Sequence, residues 1–357
     1  MVDLIGALSG RDPVLVAPRI QREHPGMRGV PTQAPTERLQ SGLGAWRRMR
    51  LLLTAAVVAA LVSGCGKPGF LDRNEFPRPA IAEAWTMDGL QIEGRFADPD
   101  VAVLADGSLR MYAQHLPGGR GHGTHSFRSA DGTTWTEEAG DRVSQGAFPD
   151  VVRLEDGSWR LYRQVDGAIV SATSADGLEW VEEPGVRLGR GEPGQPDGEQ
   201  VADAGVVQHA GQWLMVYRGD SQDRYDDGEN RPSNPNSTLM WATSGDGLTF
   251  TKRGPVFSSQ TKEFRGWAAG PDTSVRDGEV HAYFWSFHCT YRTILRSGSW
   301  TSPECVMYEP PGPAGAREVL RDPTLASYAG SWRMWGGWSP DGEMDGDGEG
   351  IGRATLG

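Results

Sequence analysis

Short apolar runs alternate with polar turn segments along most of the chain, and their order repeats. The repeated unit is an Asp or Pro-Asp step, an apolar run, a turn usually built on Gly, and a second run that ends in a large aromatic residue. Its copies span 98–112, 148–162, 203–217, 270–284 and 322–335. Paired runs of this kind predict β-hairpins. A period of roughly 50 residues predicts a β-propeller with one four-stranded blade per repeat.

A second repeated unit, Ser-x-Asp-Gly-x-x-Trp or Phe, lies between copies of the first. It occurs at 129–135, 174–180 and 244–250, with a degenerate copy at 297–300 and a related one at 86–92. Asp-Gly between apolar residues is a strong hairpin signal, because Gly adopts positive φ readily and Asp caps the turn. Each unit is therefore predicted to join strands three and four of a blade, with its aromatic residue packed between neighbouring sheets.

The copy at 86–92 precedes the first inner strand, whereas residues 351–357 end the chain without a complete hairpin. A strand around Leu90 to Gly94 is therefore predicted to complete the fifth blade, which closes the ring and removes an open sheet edge. The sequence thus predicts an all-β fold, a five-bladed propeller of four-stranded antiparallel blades over residues 80–357.

Residues 49–64 have the pattern of an export signal, with a charged start, an apolar run from 51 to 62 and small residues before Cys65. The run is too short to span a membrane. Residues 62–65, Val-Ser-Gly-Cys, resemble the bacterial lipobox, which implies cleavage before Cys65 and lipidation of that cysteine. An ordinary signal peptide or a buried strand is the alternative.

A lipoprotein signal implies a protein of the cell envelope, held in the outer membrane or at the cell surface or periplasm by its lipid. Residues 65–79 are predicted to form a flexible tether, because they contain several Gly, Pro and charged residues. Residues 1–48 are rich in Arg, Pro and Gly, and they are interpreted as a mis-started or disordered extension.

Charge narrows the range of partners. The 357-residue chain has a formal net charge of −12, much of it in acidic loops such as 220–229 and 341–349. This balance argues against nucleic acid or an anionic membrane surface as a partner. A neutral or cationic ligand suits it better, membrane contact is expected only through the lipid, and a monomer is expected.

Three cysteines are present. With Cys65 assigned to the lipid, Cys289 and Cys305 flank the turn at 297–299 almost symmetrically, so they are either a disulfide across one hairpin or two buried thiols. The seven His residues are scattered, and no transition-metal site is predicted. The stretch 345–350 has the alternating acids of a calcium loop, but its twelfth position falls at Leu356. No cofactor is therefore expected, although a structural calcium ion stays open.

The first repeated unit places acidic residues where the inner strands of a propeller begin, around the central axis. The residues expected at one mouth of the channel are Asp98 or Asp100, Asp150, Asp203, Asp272 and Asp322. Crowded carboxylates repel one another, which splits their pKa values and can keep one protonated beside an ionised neighbour. One acid and one carboxylate are what glycoside hydrolysis requires. Alternatively, Asp-Pro and Pro-Asp steps only initiate strands and cap turns.

These motifs resemble the five-bladed propeller glycosidases of glycoside hydrolase families 43, 32 and 68. The resemblance rests on the Asp-Pro step at 98–100, the acidic starts of the inner strands and the Ser-x-Asp-Gly-x-x-Trp hairpins. It implies that Asp98 is the general base, with Asp100 as the competing choice, and that Asp150 tunes pKa. It also implies that Glu199 is the general acid, with Asp203 as its rival.

The Arg321-Asp322-Pro323 triplet matches the Arg-Asp-Pro triplet of family 32, where the Asp stabilises the transition state, although here it lies in the last blade. Aromatic residues near the predicted mouth are expected to stack on sugar rings, and His288 is either a polar contact or a surface histidine. The predicted substrate-binding residues are Asp272, Arg321, Asp322, Trp267, Trp285 and Trp335.

Two other functions remain open at this stage. The same mouth can bind carbohydrate or a protein partner without turnover. A sialidase is the lesser alternative, because sialidases also carry Asp-box hairpins and clamp a carboxylate with three Arg. Candidates for such a clamp are Arg163, Arg218, Arg292 and Arg321. Sialidases, however, have six blades and a different spacing in the hairpin.

Overall fold

The computed structural model describes residues 79–116, 123–225, 235–308, 320–338 and 350–357. The predicted export signal, Cys65, nearly all of the predicted tether and most of the acidic stretch at 345–350 lie outside the described residues. Within the described part of the chain, no helix is long and apolar enough to cross a membrane.

The described residues form twenty-one strands. In chain order these are β1 (Trp85–Glu93), β2 (Phe96–Val103), β3 (Leu109–His115), β4 (Thr124–Ser129), β5 (Thr136–Val143), β6 (Ala147–Arg153), β7 (Trp159–Val165), β8 (Ala168–Ser174), β9 (Val181–Glu182), β10 (Gln200–His209), β11 (Gln212–Arg224), β12 (Pro235–Ser244), β13 (Thr251–Pro255), β14 (Ala269–Arg276), β15 (Glu279–Ser286), β16 (Cys289–Arg296), β17 (Ser299–Trp300), β18 (Glu304–Tyr308), β19 (Arg321–Tyr328), β20 (Ser331–Gly337) and β21 (Gly350–Leu356).

These strands form five antiparallel sheets, which are the predicted blades of a propeller. Blade 1 is β2-β3-β4-β5, blade 2 is β6-β7-β8-β9, and blade 3 is β10-β11-β12-β13. Blade 4 is β14-β15-β16-β17, and blade 5 is β19-β20-β21-β1. The first strand of each blade contacts the first strand of the next, and β19 contacts β2, so the five inner strands close into a ring.

The N-terminal strand closes the ring as predicted, but it is longer than the sequence suggested. Strand β1 pairs antiparallel with β21 from Trp85 opposite Leu356 to Glu93 opposite Gly350. The unit at 86–92 therefore lies within a strand and does not form a hairpin. Its Gly89, at φ 99°, lies at an irregularity in the pairing, where a residue without Cβ avoids strain.

The outer edge of blade 4 departs from the predicted four strands. Both β17 and β18 pair with β16, so the fourth strand is divided in two. Pro303 lies between them and has no N–H to donate to a ladder. Cys289 and Cys305 form a disulfide that joins β16 to β18, with their Cα atoms 5.8 Å apart. The predicted pairing of these cysteines is thus present.

The three predicted Asp-Gly hairpins join strands three and four of blades 1, 2 and 3. In blade 2, Ser174 Oγ accepts a hydrogen bond of 2.8 Å from the N–H of Gly177. Asp176 Oδ1 accepts bonds of 2.8 and 3.1 Å from the N–H groups of Leu178 and Glu179. Blades 1 and 3 repeat these bonds. The repeated residues therefore build the turn itself.

The aromatic residue after each hairpin packs against the preceding blade, as predicted. The ring centroids lie 5.9 to 6.2 Å apart and the planes are nearly perpendicular. The pairs are Trp135 with Trp335, Trp180 with Tyr112, Phe250 with Tyr162 and Trp300 with Trp241. Edge-to-face contacts of this kind stabilise buried aromatic pairs. The core of the propeller therefore lies between blades and leaves the axis to polar residues.

Candidate active site

Each inner strand carries an irregularity near its start, and the same position in each adopts positive φ. The pairing shifts between Ala97 and Asp100 in blade 1, and the other four inner strands shift at the matching point. The residues with positive φ are Asp98 (48°), Phe148 (57°), Asp203 (47°), Gly270 (57°) and Asp322 (45°). Such a conformation is uncommon for residues other than Gly, and it concentrates at functional sites.

This irregularity divides the repeated acidic residues into two sets of positions. The first-position residues are the five with positive φ. The third-position residues follow two places later and are Asp100, Asp150, Gly205, Asp272 and Thr324. With the single exception of Gly205, all of them line one pocket, the axial pocket, which holds about 330 Å³ of empty space including its open mouth. The predicted convergence of Asp98, Asp100, Asp150, Asp203, Asp272 and Asp322 on the axis is therefore observed.

The third-position carboxylates connect neighbouring blades. Asp100 Oδ2 accepts a 2.7 Å bond from the N–H of Val151 in blade 2, and Asp150 Oδ1 accepts a 3.3 Å bond from the N–H of Val206 in blade 3. Asp272 Oδ2 accepts a 2.7 Å bond from the N–H of Leu325 in blade 5. These three acids therefore have a structural role in holding the blades together.

The remaining two third positions complete the same pattern. The hydroxyl of Thr324 accepts a 3.2 Å bond from the N–H of Val101 and donates a 3.2 Å bond to Asp100 Oδ1. At Gly205 a Cβ would lie 2.6 Å from the carbonyl oxygen of Pro271. Blade 3 therefore approaches blade 4 too closely for any side chain at that position.

The third-position carboxylates repel one another. Oxygens of Asp100, Asp150 and Asp272 all lie within 4.8 Å of one another, and Asp150 Oδ2 has no hydrogen-bond partner in the part of the chain that the structure describes. Burial raises the pKa of Asp100 to about 6. Burial, followed by repulsion from Asp100, holds the pKa values of Asp150 and Asp272 well above the usual range. Carboxyls that are this close together and this buried favour the protonated form.

The first-position carboxylates have different surroundings. Asp98 and Asp322 are joined by a hydrogen bond between their side chains, and Trp285 Nε1 donates a 2.8 Å bond to Asp322 Oδ1. Arg218 Nη1 lies 2.9 Å from Asp203 Oδ2. That same oxygen accepts a 3.1 Å bond from the N–H of Gly270. One pocket therefore holds a carboxyl pair beside a carboxylate that is paired with Arg.

The pKa values of these groups are raised, and they differ from one another. Burial, with repulsion from Asp322 and Asp203, holds the pKa of Asp98 well above its usual range. Burial raises the pKa of Asp322 as well, and the Trp285 hydrogen bond opposes that rise. Burial raises the pKa of Asp203 to about 7, against the lowering effect of Arg218. A group with a pKa near the working pH is an efficient proton donor or acceptor.

Aromatic residues surround Arg218. Its guanidinium carbon lies 5.3 Å from the ring centre of Phe148 and 5.9 Å from that of Trp267. Trp267 in turn contacts Trp285 edge-on at 6.0 Å. Arg321 lies over Trp285, 6.0 Å from the ring centre. Phe148 lines the axial pocket, and Trp267 is half-buried. The predicted aromatic residues Trp267 and Trp285 thus lie beside the groups that hold the first-position acids.

Three predictions about individual residues need correction or relocation. Trp335 is fully buried in the core and packs against Trp135, so it has no surface to offer a ligand. His288 is also buried, 5.5 Å from the ring of Tyr308, and is not a surface histidine. Glu199 is exposed and is not among the residues that line the axial pocket.

The proposed arginine clamp does not assemble. Arg163 pairs with Glu182 at 2.6 Å, and Arg292 pairs with Glu83 at 2.5 Å. Arg218 and Arg321 remain beside the axial pocket. With five blades in the described residues, the fold does not match the six-bladed sialidases.

The sequence did not indicate a role in the acid site for Arg218 or Phe148. Arg218 follows Tyr217, the aromatic residue that ends the second strand of blade 3, as Trp285 follows Phe284 in blade 4. Both supply an N–H group to a first-position Asp. The residue directly after the aromatic residue that ends strand two was therefore the sequence position that could have indicated these hydrogen-bond donors.

No protein-family model matches the chain, and no curated protein sequence matches it. Solved structures do match. The catalytic domain of the GH62 alpha-L-arabinofuranosidase of Coprinopsis cinerea superposes with a TM-score of 0.56 at 14% identity, over 77% of this chain and 97% of that one. A GH43_1 enzyme from Xanthomonas citri superposes with a TM-score of 0.53 at 16% identity, over 76% and 90%. An endo-1,4-beta-xylanase from Bacteroides thetaiotaomicron gives 0.51 at 16% identity, over 75% and 91%. The chain therefore has the five-bladed propeller fold that these glycosidase structures also have.

Proposed function

We propose that the protein is a glycoside hydrolase that cleaves O-glycosidic bonds of a glycan in the axial pocket, with Asp98 and Asp203 as its acid/base pair. One observation carries the proposal. First-position carboxyls from different blades line a single open pocket, and their partners differ, because Asp203 is paired with Arg218 and Asp98 is bonded to Asp322. A protonated acid beside an ionisable carboxylate is what hydrolysis of a glycosidic bond needs.

The chemistry follows from these two groups. One carboxyl donates its proton to the glycosidic oxygen as the bond to the anomeric carbon breaks. The other carboxylate accepts a proton from the attacking water, or attacks the anomeric carbon itself. The raised pKa values of Asp98 and Asp203 keep a proton available in the pocket in mildly acidic solution.

The structure favours one member of each alternative pair. Asp98 is bonded to another acid, whereas Asp100 accepts bonds from the N–H of Val151 in the next blade and from the hydroxyl of Thr324. Asp98 is therefore the better candidate of the two. Asp203 lines the axial pocket, whereas Glu199 is exposed on the loop that leads to β10. We therefore assign the second role to Asp203.

Substrate contacts are proposed for the residues beside the pair. Phe148 and Trp267 offer ring faces that suit the C–H face of a sugar, and Asp322 and Arg321 contact Trp285, which packs against Trp267. The fold shared with glycosidase structures supports a glycan as the ligand, although a fold by itself does not define a reaction. The third-position acids Asp150 and Asp272 are proposed to set the potential of the pocket and to hold the blades together.

A lipid-anchored place in the cell envelope remains part of this proposal and rests on the sequence around Cys65. The expected result is incorporation of a radiolabelled fatty acid into the full-length protein and its loss in Cys65→Ser. The variant should appear in the soluble fraction. Equal labelling of both proteins would remove the lipid anchor from the account and leave the pocket chemistry untouched.

The proposed activity is tested with aryl arabinofuranosides, xylosides, fructosides, galactosides and mannosides, each at several pH values. Release of the aryl alcohol by the wild-type protein, and not by Asp203→Asn, is the expected result. The matched control is Glu199→Gln, which removes a charge only four residues away on an exposed loop. A protein that releases no aryl alcohol from any member of the panel would contradict the proposal.

A carbohydrate-binding protein without turnover is the second candidate. It is favoured by one observation, which is that protein groups already engage each first-position acid. Asp203 contacts Arg218, Asp322 contacts Trp285, and Asp98 contacts Asp322. Binding on a glycan array that survives in Asp203→Asn, together with no hydrolysis of the same glycan, is the outcome that favours this candidate.

A further inference from the structure

The axial pocket contains two kinds of carboxyl, and their partners decide which one carries a proton. A hydrogen bond between two carboxyl groups requires that one of them be protonated, since two carboxylates offer only acceptors. Asp98 and Asp322 form such a bond. Asp322 also accepts a 2.8 Å bond from Trp285 Nε1, and a hydrogen bond of this kind favours the ionised carboxylate. Asp98 is therefore the member of the pair that donates.

Asp203 has the opposite surroundings. A guanidinium lies 2.9 Å from its Oδ2, which also accepts the N–H of Gly270. Both donors favour the charged carboxylate. Its Oδ1 is buried and has no hydrogen-bond partner among the described residues, so this oxygen keeps its lone pairs for a proton.

Arg218 is itself held in place. Its side chain is 12% exposed and lies 3.3 Å from Asp220 Oδ1 through Nε. Phe148 and Trp267 lie 5.3 and 5.9 Å away on blades 2 and 4. Cation–π contacts of this kind fix a guanidinium in a partly buried site. These contacts therefore fix the distance between the guanidinium of Arg218 and the carboxylate of Asp203.

Both acidic and basic side chains face the first-position acids. The groups that act on Asp98, Asp203 and Asp322 are one another, Arg218 and Asp220 on β11, and Arg321 on β19. Arg218 Nη1 lies 2.9 Å from Asp203 Oδ2, and its charge also opposes the rise in the pKa values of Asp98 and Asp322. It therefore decides where the negative charge of the pocket rests.

We propose that Arg218 is the positioning residue that makes Asp203 ionise before Asp98, so that Asp203 is the base and Asp98, which shares a proton with Asp322, is the acid. This inference rests on the proposed function and reverses the roles that the family resemblance implies for the first blade. The proton of Asp98 goes to the glycosidic oxygen as the C–O bond breaks and its electrons move to that oxygen. Asp203 accepts a proton from the water whose oxygen bonds to the anomeric carbon. Exchange with solvent then restores both groups.

The proton placement can be measured without any substrate. Carboxyl ¹³C NMR of the full chain, with each Asp assigned by its Asn variant, gives the titration midpoints. The expected result is that Arg218→Met raises the midpoint of Asp203 by about 1 to 3 units, and that Arg218→Lys raises it less. The expected effect of Asp322→Asn is a lower midpoint of Asp98, because the carboxylate that repels it and accepts its proton is removed.

The matched control is Arg163→Met. Arg163 follows Tyr162 in blade 2 as Arg218 follows Tyr217 in blade 3, it is somewhat more buried than Arg218, and it pairs with Glu182 and the carbonyl oxygen of Gln145. Its loss should leave the midpoint of Asp203 unchanged. A midpoint of Asp203 that is the same in wild type, Arg218→Lys and Arg218→Met would overturn the proposal. So would an Asp98 that titrates near 4 in the wild type.

Kinetics separate the two roles once a substrate is in hand. An acid variant loses least activity on substrates with good leaving groups, whereas a base variant loses activity on all of them. The loss of kcat/KM in Asp98→Asn should therefore be at least about 10-fold smaller on a dinitrophenyl glycoside than on an unactivated one. In Asp203→Asn the loss should be similar on the two substrates. The reverse ranking would assign the roles the other way. If hydrolysis fails on every substrate, the NMR midpoints still decide the proton placement, so the two failures are distinguishable.

Discussion

The carboxylate of Asp100 accepts a hydrogen bond of 2.7 Å from the backbone N–H of Val151, the residue that follows Asp150 in the next blade. Asp150 makes the corresponding bond to Val206, and Asp272 makes it to Leu325. The acidic starts of the inner strands therefore do two things. Their third-position members accept backbone N–H groups of the next blade, and their first-position members line the axial pocket beside Arg218 and Trp285.

The hydrogen bond from the N–H of Leu325 to Asp272 predicts that two substitutions of Asp272 differ in their free energy of unfolding. Asp272→Asn keeps an oxygen that accepts from the N–H of Leu325 and removes repulsion from Asp100, so the free energy of unfolding should change little or rise. Asp272→Ala leaves that N–H without its acceptor, which should cost about 1 to 3 kcal/mol. Urea unfolding at pH 7 measures both. Equal losses in the two variants would remove the hydrogen bond from the account.

The raised pKa values predict how stability depends on pH. Asp100 and Asp203 have folded pKa values of about 6 and 7, whereas an unfolded Asp titrates near about 4. The folded state therefore binds more protons in this window, and the free energy of unfolding should fall as the pH rises from about 4 to about 7. Unfolding by urea across that range should show this slope, and a smaller one in Asp100→Asn. An unchanged slope in the variant would contradict the assignment.

The hairpin acids predict the opposite trend at lower pH. Backbone hydrogen bonds lower the pKa values of Asp131 and Asp246 to about 2. Their contribution to stability is present above about pH 4 and is lost as the pH falls toward 2. Stability should therefore be greatest in mildly acidic solution. Replacing Asp246 by Asn should reduce the loss between pH 4 and 2, as followed by thermal unfolding.

Gly177 should be the least replaceable of three turn glycines. It has φ +77°, and a Cβ there would lie 2.5 Å from the buried Tyr112 hydroxyl, so Gly177→Ala should cost about 2 to 5 kcal/mol. Gly107 has φ +81° and open space around it, so Gly107→Ala should cost about 1 to 2 kcal/mol. Gly245 has neither feature, and Gly245→Ala should change stability by about 0.5 kcal/mol or less. Any other ranking of denaturation midpoints would contradict this packing.

The disulfide between Cys289 and Cys305 should stabilise the divided outer edge of blade 4. The two cysteines are 16 residues apart, and closing a loop of that length stabilises a protein by about 3 kcal/mol. Dithiothreitol should lower the stability of the wild type to that of Cys289→Ala/Cys305→Ala and leave the double variant unchanged. If the reductant has no effect on the wild type, the disulfide does not contribute to stability.

The sequence was informative wherever a local pattern determines a local structure. Asp-Gly steps such as Asp176-Gly177 define hairpins through their own side chain and backbone, and the aromatic residue that follows is apolar enough to be buried. The closing strand followed from an incomplete last repeat. Strand β17 was harder to predict, because Pro303 interrupts a blade whose hairpin lacks the Asp-Gly pair.

Choosing between the candidate acids required the register of the inner strands, which is not visible in the sequence. A shift in pairing after Ala202 places Asp203 at the axis, and Glu199 is four residues earlier on the loop. From the sequence alone, Asp100 remained a competing choice to Asp98, since a β-bulge decides which of them is bonded to the next blade. The partner of Asp203, Arg218, lies on the next strand, and the register of the β10–β11 pairing, with Ala202 opposite Arg218, brings the two together.

The central claim is that Asp98 and Asp203 act together on a glycosidic bond in the axial pocket. The most direct test measures kcat/KM of the full-length protein on its best aryl glycoside for the wild type, Asp98→Asn, Asp203→Asn and Glu199→Gln. The account predicts wild-type turnover, losses of at least about 100-fold in Asp203→Asn and a clear loss in Asp98→Asn, and a change of less than a few-fold in Glu199→Gln. Full activity in Asp203→Asn, or a complete loss in Glu199→Gln with Asp203→Asn active, would contradict it.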